Sequence, residues 1–242
     1  MTGGTSQLLL GGVVMVGACV QWLTGMGFAL VAVPALALLL GPFQGVALAN
    51  CAAGAISAVG LVGGWRRVRL TAMVPLVVAS ACAVPAGTWV AGQLPRPVLF
   101  VGMGLLVTLA ALLAMRGLRV SALAGPKGAV AAGAAGGFMN ASAGLGGPPL
   151  SLYAMNADWT VHEFVPNAQF YGIVVNAFSI AANGVPQLGA AGWAVGVAAT
   201  VLGAAIGKVL AAHVPESRAR QLVLLLALAG GLSTLAKGVG VL

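Results

Sequence analysis

The segment Gly136–Leu150, with the sequence GGFMNASAGLGGPPL, decides how this chain folds. It lies within an apolar region, residues 128–156, that contains no Asp, Glu, Lys or Arg. Glycine weakens a helix, and proline removes a backbone N–H donor and clashes with the preceding turn. The region is therefore predicted to break into two pieces, either two short spans or a re-entrant hairpin, at Gly144, Gly146, Gly147, Pro148 and Pro149.

A second segment of the same kind, GMGFALVAVP at residues 25–34, begins 119 residues before Gly144. It interrupts the apolar region 7–41, which contains 35 residues. A single helix of that length would measure about 52 Å, whereas the hydrocarbon core of a bilayer is about 30 Å thick. A break is therefore predicted here as well, at Gly25, Gly27 and Pro34.

The composition excludes a soluble globular domain. Charged residues make up 6% of the 242 residues and hydrophobic residues 60%, whereas soluble domains carry about 25% charged residues. No charged residue precedes Arg66 or lies between Glu163 and Lys208, and a membrane span needs only about 20 apolar residues. The apolar runs lack the alternation of barrel strands. The sequence predicts an all-α polytopic membrane protein of 8–10 passes with eight apolar regions, at residues 7–41, 44–63, 71–92, 97–115, 128–156, 165–183, 190–212 and 219–238.

The two breaks are predicted to belong to an internal repeat. The segments TWVAGQLP, ending at Pro95, and VLAAHVP, ending at Pro215, are 120 residues apart, close to the spacing of the breaks. The repeats are assigned to residues 1–120 and 121–242. If each long region returns to its own side, each repeat makes five passes, and this odd number inverts the second repeat relative to the first.

The basic residues indicate an orientation. In the inverted arrangement only Arg96 and Lys237 fall on one side, with both termini. Because Lys and Arg are retained on the cytoplasmic side, the opposite side is predicted to be cytoplasmic. That side carries eight basic residues, namely Arg66, Arg67, Arg69, Arg116, Arg119, Lys127, Arg218 and Arg220.

Several classes of function are disfavoured. The net charge of +8 is explained by orientation in the membrane rather than by nucleic-acid binding, since basic residues sit in short connections beside apolar runs. The cysteines form no C-x-x-C pair, and both histidines lie in connections, which argues against a thiol relay, a hydrolase or a metal site. No cofactor is predicted, and the expected partners are the bilayer, a small substrate and, as an open possibility, further copies of the chain.

The glycine breaks are the first candidates for a binding site. Secondary transporters with inverted repeats bind substrate near the membrane midplane, where the N-termini of half-helices offer free N–H groups to anions. The glycines could instead serve close helix packing through small residues, and the amides could instead form interhelical hydrogen bonds. The predicted substrate-binding residues are Gly25, Gly27, Asn50, Gly144, Gly146, Gly147, Asn167, Gln169 and Tyr171.

The substrate class follows from what the apolar regions lack. No carboxylate lies in the middle of any apolar region, whereas carriers of protons and cations place ionisable residues within the membrane. A neutral cavity rich in donors suits a small anion better than a cation. A secondary transporter is therefore expected, and the alternatives are an anion channel or a membrane-embedded assembly subunit.

The same segments carry a family resemblance over nearly the whole chain. GMGFALVAVP, ALAN ending at Asn50, and GGFMNASAGLGGPPL resemble the sulfite exporter TauE/SafE family, also called the toluene sulfonate uptake permease family. Many members have a glycine where Phe28 stands here. The resemblance implies a multi-pass carrier of the bacterial inner membrane for sulfur-containing oxyanions, with sulfite and organosulfonates as the usual substrates and export as the usual direction.

Overall fold

The computed structural model describes residues 4–25, 27–116 and 125–241. Over these ranges the chain forms ten α-helices and no strand, with one short 3-10 turn at Trp65–Arg67. The boundary assigned between the repeats and Arg119 lie outside the described residues. The helices are α1 (Gly4–Thr24), α2 (Phe28–Leu40), α3 (Pro42–Leu61), α4 (Leu70–Gln93), α5 (Arg96–Arg116), α6 (Gly125–Ala143), α7 (Gly147–Asn156), α8 (Val161–Asn183), α9 (Ala190–Ala211) and α10 (Glu216–Val239).

Both long apolar regions break at the predicted glycines, whereas Pro34, also predicted at the first break, lies inside α2. Gly25 and Gly144 have φ values of +74° and +70°, a left-handed conformation that glycine adopts without steric cost. After each break the chain folds back on itself. Gly17 of α1 packs against Phe28 and Ala32 of α2, and Gly136 of α6 faces the backbone of Gly146. Each break is therefore the turn of a helical hairpin, which is one of the two arrangements that the sequence allows.

Six of the described helices are long and apolar enough to cross a membrane, which identifies a multi-pass membrane protein: α1, α3, α4, α5, α9 and the 221–239 part of α10. Helix α8 has a different character, because it buries the polar side chains of Asn167, Gln169, Asn176 and Ser179. It packs on α3 at the centre of the molecule. The polar residues therefore face protein rather than lipid.

Small residues set the closest helix contacts. Helix α1 packs on α9, α4 on α6, and α5 on α10. In the first pair, Gly203 and Gly207 of α9 lie against the backbone of Met15 and Cys19. In the second pair, Gly133 of α6 lies against the backbone of Leu76. Such contacts matter in a membrane protein because lipid is as apolar as the side chains, so that association depends on close packing.

Replacing Gly207 by alanine is expected to destabilise the protein by about 1–3 kcal/mol. The added Cβ atom would lie 2.7 Å from the carbonyl oxygen of Cys19, and a backbone atom cannot move aside as a flexible side chain does. Gly102→Ala is the matched control, since no atom lies within 4 Å of its Cβ position. Thermal unfolding in detergent should show a lower midpoint for Gly207→Ala alone, and equal midpoints would contradict this packing.

Candidate functional site

A cavity of about 320 Å³ lies between the two hairpin turns. Both turns line it, together with residues of α3, α5 and α8. Most of its wall is apolar and is formed by side chains such as Leu106, Leu109, Leu152 and Met155. None of the described residues that line it carries a charge. The cavity is large enough for a small organic or inorganic ion with part of its hydration shell.

Polar groups meet in the cavity wall where the hairpins reach α3 and α8. Gln21 Nε2 of α1 donates to Ser57 Oγ of α3 at 3.0 Å. Asn140 Nδ2 of α6 donates to Asn176 Oδ1 of α8 at 3.1 Å. Gln21 precedes Asn140 by 119 residues, and Ser57 precedes Asn176 by the same number. In both pairs a side-chain amide donates to a polar side chain of the neighbouring helix, and the two pairs are 119 residues apart.

Asn140 fixes the second hairpin turn. Its Oδ1 accepts a hydrogen bond from the Gly146 N–H at 3.0 Å, and its Nδ2 also donates to Ser179 Oγ at 2.8 Å. The side chain is 3% exposed. Asn140 is not among the predicted binding residues, although its spacing of 119 residues from Gln21 could have drawn attention to it. It is the residue that ties the α6–α7 turn to α8.

The two half-helices that begin at the turns differ in their free donors. The first N–H groups of a helix have no acceptor within that helix. In α2 these belong to Phe28, Ala29 and Leu30, which all line the cavity. Helix α7 begins with Gly147 followed by Pro148 and Pro149, and proline has no N–H. The first three positions of α2 therefore carry three N–H groups beside the cavity, whereas the first three positions of α7 carry only that of Gly147.

The cavity brings together six of the nine predicted binding residues, and these line its wall: Gly25, Gly27, Gly144, Gly146, Gly147 and Tyr171. The Tyr171 hydroxyl is 2.8 Å from Ser80 Oγ, so that it is already engaged with α4. Asn50, Asn167 and Gln169 are not part of the wall.

The three remaining amides are buried elsewhere. Asn167 Oδ1 accepts from the Arg69 N–H at 2.9 Å and joins α8 to the start of α4. Gln169 Nε2 donates to the Gly25 carbonyl oxygen at 3.2 Å and so joins α8 to the first hairpin turn. Asn50 is 1% exposed, and its Nδ2 has no hydrogen-bond partner. Interhelical bonding, the alternative role that the sequence allows for the amides, thus describes two of these side chains.

Glu163 caps α8 at the end of the molecule that carries Arg69. Its carboxylate accepts from the Thr160 N–H at 3.0 Å, and the Thr160 hydroxyl in turn accepts from the Glu163 N–H. It also pairs with Arg69 at 2.9 Å. The Thr160 hydrogen bonds and the nearby guanidinium lower the pKa of Glu163. Both partners are partly exposed, so the pair orients the connections more than it stabilises them.

Comparison with known proteins identifies a family but no individual relative. The sequence model of the sulfite exporter TauE/SafE family matches residues 9–234 of the chain. No curated protein matches the chain, and no solved structure matches it. The family match covers both hairpin turns and every residue of the cavity wall.

Proposed function

The chain belongs to the sulfite exporter TauE/SafE family, and from this premise we propose that it transports a small sulfur-containing anion, such as sulfite or an organosulfonate, by alternating access. The observation that carries this proposal is the start of α2, where the backbone of Phe28, Ala29 and Leu30 lies beside a cavity whose described lining is uncharged. The N-terminus of a helix has a partial positive charge and donors that point along its axis, which suits an oxyanion.

Neutral donors fit a carrier better than a tight binding site. Sulfite and sulfonates present three oxygens, which matches the three N–H groups of Phe28, Ala29 and Leu30. An Arg or Lys in the wall would hold the anion more strongly and slow its release. Hydrogen bonds to backbone N–H groups are instead strengthened by the low polarity of the surrounding leucines. The site we propose combines recognition of the anionic group with reversible binding.

Helix directions support the proposed inverted repeats. Helices α3 and α8 run antiparallel, since Gly54 lies against Asn176 and Gly60 against Gln169. Helices α1 and α9 run parallel, since Gly11 lies against Val195 and Gly207 against Cys19. If each hairpin returns to the side from which it entered, two five-pass repeats of opposite orientation would have these helix directions. The constant spacing of 119 residues between corresponding features agrees with this assignment.

Export from the cytoplasm is the direction we propose. The Arg69–Glu163 pair joins the α3–α4 and α7–α8 connections at one end of the bundle. The positive-inside rule makes that end cytoplasmic in an inner membrane, because Arg66 and Arg67 lie there too. Leu113, near the end of α5, and Met155, near the end of α7, line the cavity on that side. The conformation described here is therefore one that would load substrate from the cytoplasm.

Ligand-induced stabilisation tests the proposed substrate class. A ligand that binds only the folded protein stabilises it by about 2.7 kcal/mol at 100 times its dissociation constant. The purified protein in detergent should unfold at a higher temperature with sulfite or an organosulfonate, and not with carboxylates of matched size or with sodium. Equal stabilisation by carboxylates would argue against selectivity for sulfur oxyanions, and no stabilisation by any anion would favour the assembly-subunit alternative.

A further inference from the structure

The two halves of the molecule are packed differently around the cavity. Helix α2 lies along α10, with Gly230 against Pro34, and Lys237 Nζ lies 3.4 Å from the Leu38 carbonyl oxygen. In the repeat, the corresponding pair is α7 and α5. These two helices face each other across the cavity, since Leu152 and Leu109 both line it. Helices α2 and α10 are thus closely packed, whereas α5 and α7 touch only sparsely and are largely separated by the cavity.

A second difference concerns the side chains that support the turns. Gln169 of α8 donates to the carbonyl oxygen of Gly25 at 3.2 Å, one helical turn beyond Val165, which also contacts Gly25. The residues that correspond to Gly25, Val165 and Gln169 at the 119-residue spacing are Gly144, Val46 and Asn50.

The corresponding contact is only half formed. Val46 lies 3.6 Å from the Cβ position of Gly144, as Val165 lies beside Gly25. Asn50, one turn further along α3, is buried in the same neighbourhood, yet its Nδ2 has no acceptor. A buried donor without a partner is unfavourable, and native structures rarely retain one without a reason. The reason we consider is a second conformation in which Asn50 does have a partner.

We propose that Asn50 and Gln169 are alternating latches for the two hairpin turns. In the conformation described here Gln169 holds the Gly25 turn, α2 lies on α10, and the cavity is open between α5 and α7. In the opposite conformation Asn50 Nδ2 donates to the Gly144 carbonyl oxygen, α7 lies on α5, and α2 leaves α10. Both residues position the turns and are not part of the cavity wall. This inference rests on the proposed function, because it specifies how the same cavity changes sides.

Side-specific labelling of a single thiol tests the proposal without any substrate. Cys19, Cys51 and Cys82 are first replaced by alanine, and Ser151→Cys then places a reporter in the cavity wall. The protein is reconstituted in one orientation, and a membrane-impermeant maleimide is added to either side. The ratio of the two labelling rates reports which side the cavity faces.

The latch proposal requires opposite shifts from the two amides. The ratio is the labelling rate from the Arg69 side divided by the rate from the other side. Asn50→Ala should raise this ratio by about fivefold, because it weakens only the conformation in which Asn50 holds the Gly144 turn. Gln169→Ala should lower the ratio by a similar factor. Asn50→Leu keeps the volume, removes the unpaired donor and should shift the ratio in the same direction as Asn50→Ala, which covers the case that the alanine variant fails to fold. Gln169→Asn should act as Gln169→Ala does.

A control variant and a disulfide cross-link complete the experiment. Asn183→Ala removes another amide of α8, an exposed one that donates to the Ala141 carbonyl oxygen at 2.8 Å, and should leave the ratio unchanged. A disulfide between Pro34→Cys and Gly230→Cys should allow labelling from the Arg69 side alone. Shifts in the same direction for both amides, or no shift, would overturn the latch. A protein that shows the opposite shifts but binds no sulfur oxyanion would retain the latch and contradict only the proposed substrate.

Discussion

Replacing Asn140 by aspartate is expected to abolish anion transport and to lower the stability of the protein. The carboxylate has the same shape and can still accept the hydrogen bond from the Gly146 N–H, but it cannot donate to Asn176 Oδ1 and Ser179 Oγ as the amide does. It adds a negative charge to the wall of a cavity whose described residues are all neutral. Repulsion between two unit charges about 4 Å apart is about 4 kcal/mol at an effective dielectric constant of 20, which lowers affinity by several hundredfold.

Asn140→Ala separates the structural role of this residue from its place in the cavity. The alanine variant leaves the Gly146 N–H and Ser179 Oγ without their partner. We expect a loss of roughly 3 kcal/mol of stability, because buried polar groups are left unsatisfied. Thermal unfolding and anion uptake are measured for both variants. Wild-type uptake by Asn140→Asp would show that the anion does not pass through this cavity.

Replacing Ala29 by proline is expected to weaken anion binding by at least about tenfold. The substitution removes one of the three N–H groups at the start of α2, and a hydrogen bond to a charged group contributes about 1.5–3 kcal/mol. Proline is compatible with the first turn of a helix. The corresponding residue of the second hairpin, 119 positions later, is Pro148, so this chain already accommodates proline at the equivalent position of α7.

Two matched variants make this test specific. Ala29→Ser keeps the N–H and should bind as the unmodified protein does. Pro148→Ala adds an N–H to the start of α7 and should not weaken binding. Binding is measured by the anion-dependent rise of the unfolding temperature. Equal affinity for Ala29→Pro and Ala29→Ser would contradict a site at the start of α2.

The sequence was sufficient to predict an all-helical, multi-pass membrane protein and both breaks. The breaks at Gly25 and Gly144 could be predicted from sequence alone. An apolar run too long for the bilayer must be interrupted, and its glycine cluster is where the helix is weakest. It could not decide between two short spans and a hairpin, since that depends on contacts such as Gly17 with Ala32. The spacing of 119 residues carried more information about the site than composition did.

The polar residues were harder to assign from sequence. A buried amide must find a partner, but the sequence does not say whether that partner is substrate or protein. Asn167 bonds to the Arg69 N–H and the Glu163 carbonyl oxygen, whereas Gln169 donates to the Gly25 carbonyl oxygen and leaves its buried Oε1 without a partner. Asn140, in contrast, gained its importance from the turn that it closes on Gly146. Roles of this kind depend on the path of the backbone, which only the folded chain supplies.

The proposed function requires that this chain carries a sulfur oxyanion through the cavity at the start of α2. Uptake of radiolabelled sulfite and of a labelled organosulfonate into proteoliposomes tests it most directly, with the Ala29→Pro and Ala29→Ser variants measured in parallel. A carrier predicts uptake that saturates with concentration, is accelerated by unlabelled substrate on the opposite side, and is reduced in Ala29→Pro alone. Flux that rises linearly without saturation would indicate a channel, and no flux above that of empty liposomes would contradict the account.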